Sequence, residues 1–225
     1  MIEDIPEDLL QDLNEFSTWF FAQDHSSLKF SGEGLDYRSY VSADALTRQQ
    51  DDKLESFGYP KNAQGIDFNS PNSEYSLDIF QNKIVEYDMR FRSFLGAKYC
   101  ALKMFYPAGG FIDWHTNANA FGYNVLLTYS KTGDGAFFYQ HPLTKEIVEL
   151  HDKPGWTMKV GMYDKTGGAP LWHAAYTNCE RLNWGYVMPD NGWENLVEEL
   201  NINIEDMEAV YGPLPKLKFG HTTTF

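Results

Sequence analysis

Two of the six histidines in this 225-residue chain stand where metal chemistry is possible. His115 closes the run FIDWH, and His173 lies in LWHAAY. Both runs read as β-strands. Alternation puts Asp113, His115 and Asn117 of FIDWHTN on one face, and Trp114 and Thr116 on the other. In RLNWGYVM, Arg181, Asn183 and Gly185 share a face opposite Leu182, Trp184 and Tyr186. A barrel of such strands would hold two imidazoles, an arginine and several amides inside. Two imidazoles and one carboxylate on a triangle suit Fe(II), and they leave three positions open for a chelating co-substrate and O₂. An interior arginine needs an anion, because an unpaired buried charge is costly. That anion is either the far carboxylate of a ligand or an internal salt-bridge partner.

The elements that must position these residues follow from periodicity. From about residue 98 to 188 the chain breaks into eight short runs with Gly, Asn, Asp and Pro between them: YCALKMFY, FIDWHTN, YNVLLTYS, GAFFYQH, EIVELH, WTMKVGMY, LWHAAY and RLNWGYVM. Eight such runs indicate a barrel or jelly roll. Ahead of them, Ile5, Leu9, Leu13, Phe16 and Phe20 mark an amphipathic helix over 5–22. A second helix is expected over 74–95, with a stripe of Leu77, Phe80, Ile84, Tyr87, Phe91 and Phe94 or Leu95, and with Gly96 near its end. Residues 24–73 are polar and read as long loops with few regular elements, placed to border a site. A last helix over Trp193–Leu200 precedes a tail containing Pro and Gly. The expected organisation is one domain: a helical and loop-rich frame over 1–97, a β core over 98–190, and a helix with tail over 191–225.

A family resemblance is carried by two stretches. KMFYPAGGFIDWHTN resembles the prolyl 4-hydroxylase pattern of a Tyr, a Pro/Gly turn and then His-x-Asp. HAAYTNCERLNWGYV resembles the distal His, Asn and Arg pattern of that family and of the aspartyl/asparaginyl hydroxylases. Residues 98–188 thus resemble the core of the Fe(II)/2-oxoglutarate-dependent dioxygenases. The resemblance implies a mainly β fold, a double-stranded β-helix (jelly-roll, cupin-like) core supported by N-terminal α-helices. It implies Fe(II) on His115 and His173, and 2-oxoglutarate as co-substrate with its far carboxylate on Arg181. Tyr106 matches a tyrosine that reaches the same carboxylate in some members, and Thr128 is a secondary candidate for that contact. The implied activity is hydroxylation of a peptide or protein side chain, or of a small molecule, with release of succinate and CO₂.

One departure is sharp. Where the family places Asp in His-x-Asp, this chain reads His115-Thr116-Asn117. An amide oxygen is neutral and a weaker ligand than a carboxylate. Asn117 would coordinate through that oxygen, or water would fill the position, or another acid would substitute. Asp113 has the strand parity for this, and Asp164 lies in the loop before His173. If none does, the site has lapsed and the barrel is a binding or structural module. Halogenation would need a halide in the place that Asn117 occupies.

Composition narrows the remaining classes. Acids outnumber bases 32 to 18, for a net charge of −14. So acidic a chain offers no general phosphate-binding surface, which argues against a nucleic-acid substrate. Cys100 and Cys179 are too few for a disulfide framework or a thiolate zinc site, and they fit two reduced thiols in the cytoplasm. No run approaches the ~20 apolar residues of a membrane span. The aromatic share of 16% argues against disorder. His141 and His151 flank EIVEL and read as surface residues, and His25 and His221, in loop or tail, have still less claim to a role in the site. Trp172 and Trp184 read as packing. Asn124 either faces the cavity beside Thr128 or closes a strand hydrogen bond.

Overall fold

The computed structural model describes residues 2–25, 30, 34–51, 58, 60–69, 78–117, 120, 122–163, 170–200 and 202–214. Eight strands form where the eight runs stand: β4 (Tyr99–Tyr106), β5 (Phe111–His115), β6 (Gly122–Ser130), β7 (Gly135–Gln140), β8 (Ile147–His151), β9 (Gly155–Tyr163), β10 (His173–Thr177) and β11 (Arg181–Val187). Three short strands, β1 (Ile2–Glu3), β2 (Ala63–Gln64) and β3 (Ile66–Asp67), extend the edges. All pair antiparallel, in one sheet of order β1-β9-β6-β11-β4-β3 and another of order β2-β5-β10-β7-β8. The fold is mainly β, with a jelly-roll core. The turn Pro107–Gly110 joins the two sheets, closed by Gly110 N–H to Pro107 O at 2.8 Å. A Cβ on Gly110 would stand 2.8 Å from that carbonyl, so the turn admits no side chain there.

Two helices cover the outer face of the larger sheet. Helix α1 (Glu7–Phe21) begins after Pro6, with Glu7 and Asp8 in its first turn, where acids favour the helix dipole. Helix α4 (Asp78–Leu95) buries Ile84, Tyr87, Phe91 and Leu95. Of the two alternatives for its last apolar position, Leu95 is buried and Phe94 is exposed. Both helices press on Leu182, Trp184 and Tyr186, the outward set of β11. Trp184 is fully buried edge-on to Phe16 at 5.1 Å and Phe91 at 5.3 Å. Each such ring contributes about 1.5–3 kcal/mol through burial. Among the described residues, no helix is long and apolar enough to cross a membrane.

Three expectations need correction. Among the described residues of 24–73, regular structure that the sequence did not place is present: α2 (Arg38–Val41), α3 (Ala43–Asp51), β2 and β3. Val41, Ala45 and Leu46 pack on Phe111, Trp114, Trp172 and Ala174 of the smaller sheet's outer face. So few apolar residues give no visible period in sequence, and tertiary packing supplies the helix instead. The last helix starts earlier, as α5 (Asp190–Leu200). The tail carries a further helix, α6 (Ile204–Tyr211), capped by Asn203 Oδ1 accepting from Glu205 N–H at 3.0 Å. Residues 74–77 of the second expected helix lie outside the described residues.

Candidate metal centre

His115 ends β5 and His173 begins β10, directly opposite each other in register. Their ring centroids are 4.1 Å apart. Each Nδ1 meets a backbone carbonyl, Asp113 O at 2.7 Å for His115 and Leu171 O at 3.0 Å for His173. A carbonyl accepts only, so the proton of the neutral ring sits on Nδ1 and the lone pair on Nε2. Burial holds His115 down to about 4 and His173 well below the ordinary imidazole value. Phe137 stacks on His173 at 5.7 Å, and Tyr163 meets it edge-on at 4.9 Å. The pair is therefore neutral, oriented and walled by rings, which is the state in which imidazole binds a metal. Both line a cavity of about 160 Å³ between the sheets, together with Asn117, Ile112 and Asn183.

Asn117 stands in this cavity wall with φ of 50°, a conformation that Asn tolerates better than most residues. Asp113 does not join it. Ile112 pairs with Ala175 and His115 with His173, so Asp113 and Trp114 together oppose Ala174 alone. That β-bulge breaks the alternation assumed from sequence. Ile112 and His115 face the cavity, while Trp114 packs outward with Phe111. Asp113 Oδ2 accepts from Asn62 N–H at 2.9 Å, Asn62 Nδ2 at 2.8 Å and Gln49 Nε2 at 3.2 Å. Burial pushes this carboxyl up to about 6, against the pull of those Asn62 donors. Asp67 is an acid in the cavity wall that sequence reasoning missed. It is exposed, and its Oδ1 accepts from Asn69 N–H at 2.8 Å. Among the described residues, no three His, Cys, Asp or Glu side chains converge to hold a metal. Asp164 and His221 lie outside the described residues. The residues present fit a two-imidazole centre with an amide beside it.

Arg181, Tyr106 and Thr128 come together between the sheets. Arg181 pairs in register with Tyr106 on β4, and Asn183 pairs with Thr128 on β6. With its amide turned to satisfy its neighbours, Asn183 accepts from Arg181 Nη1 at 3.1 Å and donates to Thr128 Oγ1 at 3.2 Å. The guanidinium lies 6.0 Å from the Tyr106 ring centroid. Burial raises the Tyr106 phenol above its ordinary pKa. Arg181 already has an anion, however. Asp152, just after β8, places Oδ2 2.8 Å from Nε and Oδ1 3.3 Å from Nη2. The first is a charge contact whose angle is too poor for a hydrogen bond. Lys159 Nζ on β9 lies 3.5 Å from the same Oδ1. All three side chains are buried, which leaves two cations and one anion, a surplus of one positive charge.

Sequence reasoning missed Asp152 and Lys159. Parity in WTMKVGMY could have found Lys159. It falls on the face opposite Met158 and Val160, which line the hydrophobic core. Asp152 follows its strand and carried no such signal. Asn124 lines the cavity and also donates to Ala120 O at 3.2 Å and Gly122 O at 2.9 Å. His141 Nδ1 accepts from Leu143 and Thr144 N–H within its own turn, and His151 is exposed. His25 Nε2 lies 2.8 Å from Phe20 O, and its ring stacks on Phe20. Trp172 packs beside Trp114. Both cysteines are free thiols.

The metal-free protein should lose stability on acidification from pH 6.5 toward 4. The unfolded chain takes up a proton on each imidazole in this window, and the folded chain refuses it, so stability is full above 6.5 and falls below. For His115 the loss is roughly 3 kcal/mol by pH 4, and His173 adds in the same direction. Asp113 opposes them, since its raised pKa makes the folded state bind the extra proton. Two imidazoles against one carboxylate give a net loss. Urea midpoints at pH 7 and pH 5 check it, and equal midpoints would contradict a buried neutral pair.

No protein-family model matches the sequence, and no curated protein matches it. Solved structures give distant likenesses. A Pseudomonas putida prolyl-4-hydroxylase shares 15% identity at a TM-score of 0.41, over 84% of this chain and 91% of that one. A dioxygenase for auxin oxidation in rice shares 14% at 0.37, over 82% and 70%. An oxidoreductase of the 2OG-Fe(II) oxygenase family from Burkholderia pseudomallei shares 15% at 0.30, over 64% and 78%.

Proposed function

We propose that this chain is an Fe(II)- and 2-oxoglutarate-dependent dioxygenase of the cytoplasm. Its prime substrate would be a peptide or protein side chain, with a small molecule as the alternative. The observation that carries the reading is the pair His115 and His173. Two neutral imidazoles, each with its proton fixed on Nδ1 by a carbonyl, stand side by side in the wall of an interior cavity. Fe(II), bound with 2-oxoglutarate and O₂, would supply the oxidising power for hydroxylation. His115 and His173 would hold the metal, with the Asn117 oxygen or water beside them. Leu126, Phe137 and Ala175 give the cavity apolar walls that exclude water. The surplus positive charge around Asp152 favours an acid as the ligand.

A second reading, a barrel whose metal site has lapsed, has specific support. No protein carboxylate converges on the imidazoles among the described residues, and Arg181 is already countered by Asp152. Succinate formation separates the two. With Fe(II), 2-oxoglutarate and O₂, the enzyme reading expects slow succinate release even without prime substrate, and none from His115→Ala. Equal release from both proteins, or none from either, would favour the lapsed barrel.

A further inference from the structure

A second, smaller cavity of about 80 Å³ lies inside the barrel. It shares the wall residues Asn124, Leu126, Phe137 and Tyr163 with the cavity of the histidine pair. A void needs only about 10–15 Å³ to admit a water, so this one has room for a larger polar group. Lys159, Tyr139 and Tyr211 are among its polar lining residues, and leucines, valines and Phe137 supply its apolar walls. Tyr211 comes from α6, and Gly161 makes room for it, since a Cβ there would lie 2.8 Å from the Tyr211 hydroxyl. The charges are unequal. Asp152 is shared by Arg181 at 2.8 Å and Lys159 at 3.5 Å. Lys159 Nζ has one further contact, Thr157 Oγ1 at 3.4 Å. An ammonium has three donors, and these two long contacts leave it poorly satisfied. Arg181 lines neither cavity.

We propose that the second cavity binds one carboxylate, held by Lys159 with the Tyr139 and Tyr211 hydroxyls, and that Arg181 contributes only by holding Asp152. Resting on the reading above, this makes Lys159 the anchor for the far end of an acid chelated at the histidines. The helix α6 then forms part of the ligand site, through Tyr211. Burial and the nearby Arg181 hold Lys159 down to about 8, so it is still mainly an ammonium at neutral pH. The Lys159→Met variant is a clean probe, because it leaves Arg181 and Asp152 as a neutral pair and should keep the wild-type melting midpoint.

Two titrations test the proposal. Metal-free protein is titrated with glutarate, and Fe(II)-loaded protein is titrated under argon with 2-oxoglutarate and with pyruvate, which lacks the far carboxylate. The expected result is that Lys159→Met weakens glutarate at least about tenfold. It also removes the preference for 2-oxoglutarate over pyruvate, and Tyr211→Phe weakens glutarate by a smaller factor. Wild-type affinities in a folded Lys159→Met protein would overturn the anchor while leaving the dioxygenase reading intact. If the wild type binds no iron, the dioxygenase reading fails and the glutarate titration alone decides. Glutarate binding that is lost in Lys159→Met then sustains the site, and binding that is absent or unchanged overturns it.

Discussion

Replacing Asp152 by alanine is expected to cost about 3–5 kcal/mol of folding stability, the usual range when one partner of a buried ion pair is removed. Asp152 is the anion between Arg181 and Lys159, and all three are almost wholly buried. Without it, two cations face each other between the sheets with no counterion. Gly135 shows how closely the carboxylate is fitted, since a Cβ at that position would lie 2.9 Å from Oδ2. Asp152→Asn keeps the shape and loses the charge, so it should fall nearly as far. Urea unfolding with an unchanged m-value measures the effect. A loss below about 1 kcal/mol would place the pair in the range of exposed salt bridges and would contradict a desolvated cluster.

Replacing His173 by alanine should weaken Fe(II) binding by at least about 100-fold, because loss of a mere outer-shell partner already costs about 10–100-fold. His115→Ala should do the same. Both rings line the cavity, with Nδ1 committed to the backbone, so a metal can be held only through Nε2. Asn117→Asp works in the other direction. A carboxylate at that position should tighten the metal if the side chain points at it, and should change nothing if water fills the position. Calorimetry or competition with a chromophoric chelator reads all three variants. Wild-type affinity in His173→Ala would remove the pair from the account.

Much of the β core is legible in the chain, and the reason is physical. Each of the eight runs is a short stretch rich in apolar and β-branched or aromatic residues between Gly, Pro, Asn or Asp turns, and each forms a strand. The sorting of RLNWGYVM into an outward Leu182, Trp184, Tyr186 face and an inward Arg181, Asn183, Gly185 face also follows from alternation alone. What alternation cannot show is where it breaks. The bulge at Asp113 and Trp114 arises from pairing with β10, and it turns Asp113 away from the histidines. Nor does it show long-range charge pairing. Arg181 announces a buried cation, but its partner Asp152 is an unremarkable residue in a polar turn between strands. Helices α2 and α3 escaped for a similar reason, because a few apolar residues on one face suffice once Trp114 and Trp172 are there to pack against.

The central claim is that His115 and His173 hold Fe(II) in a site where 2-oxoglutarate chelates it. Anaerobic absorption spectroscopy tests it most directly. Protein is mixed with Fe(II) under argon, and 2-oxoglutarate is then added. The account predicts a visible metal-to-ligand charge-transfer band that appears only with both components and is absent in His115→Ala and His173→Ala. No band from the wild-type protein at high protein, iron and 2-oxoglutarate concentrations would contradict it.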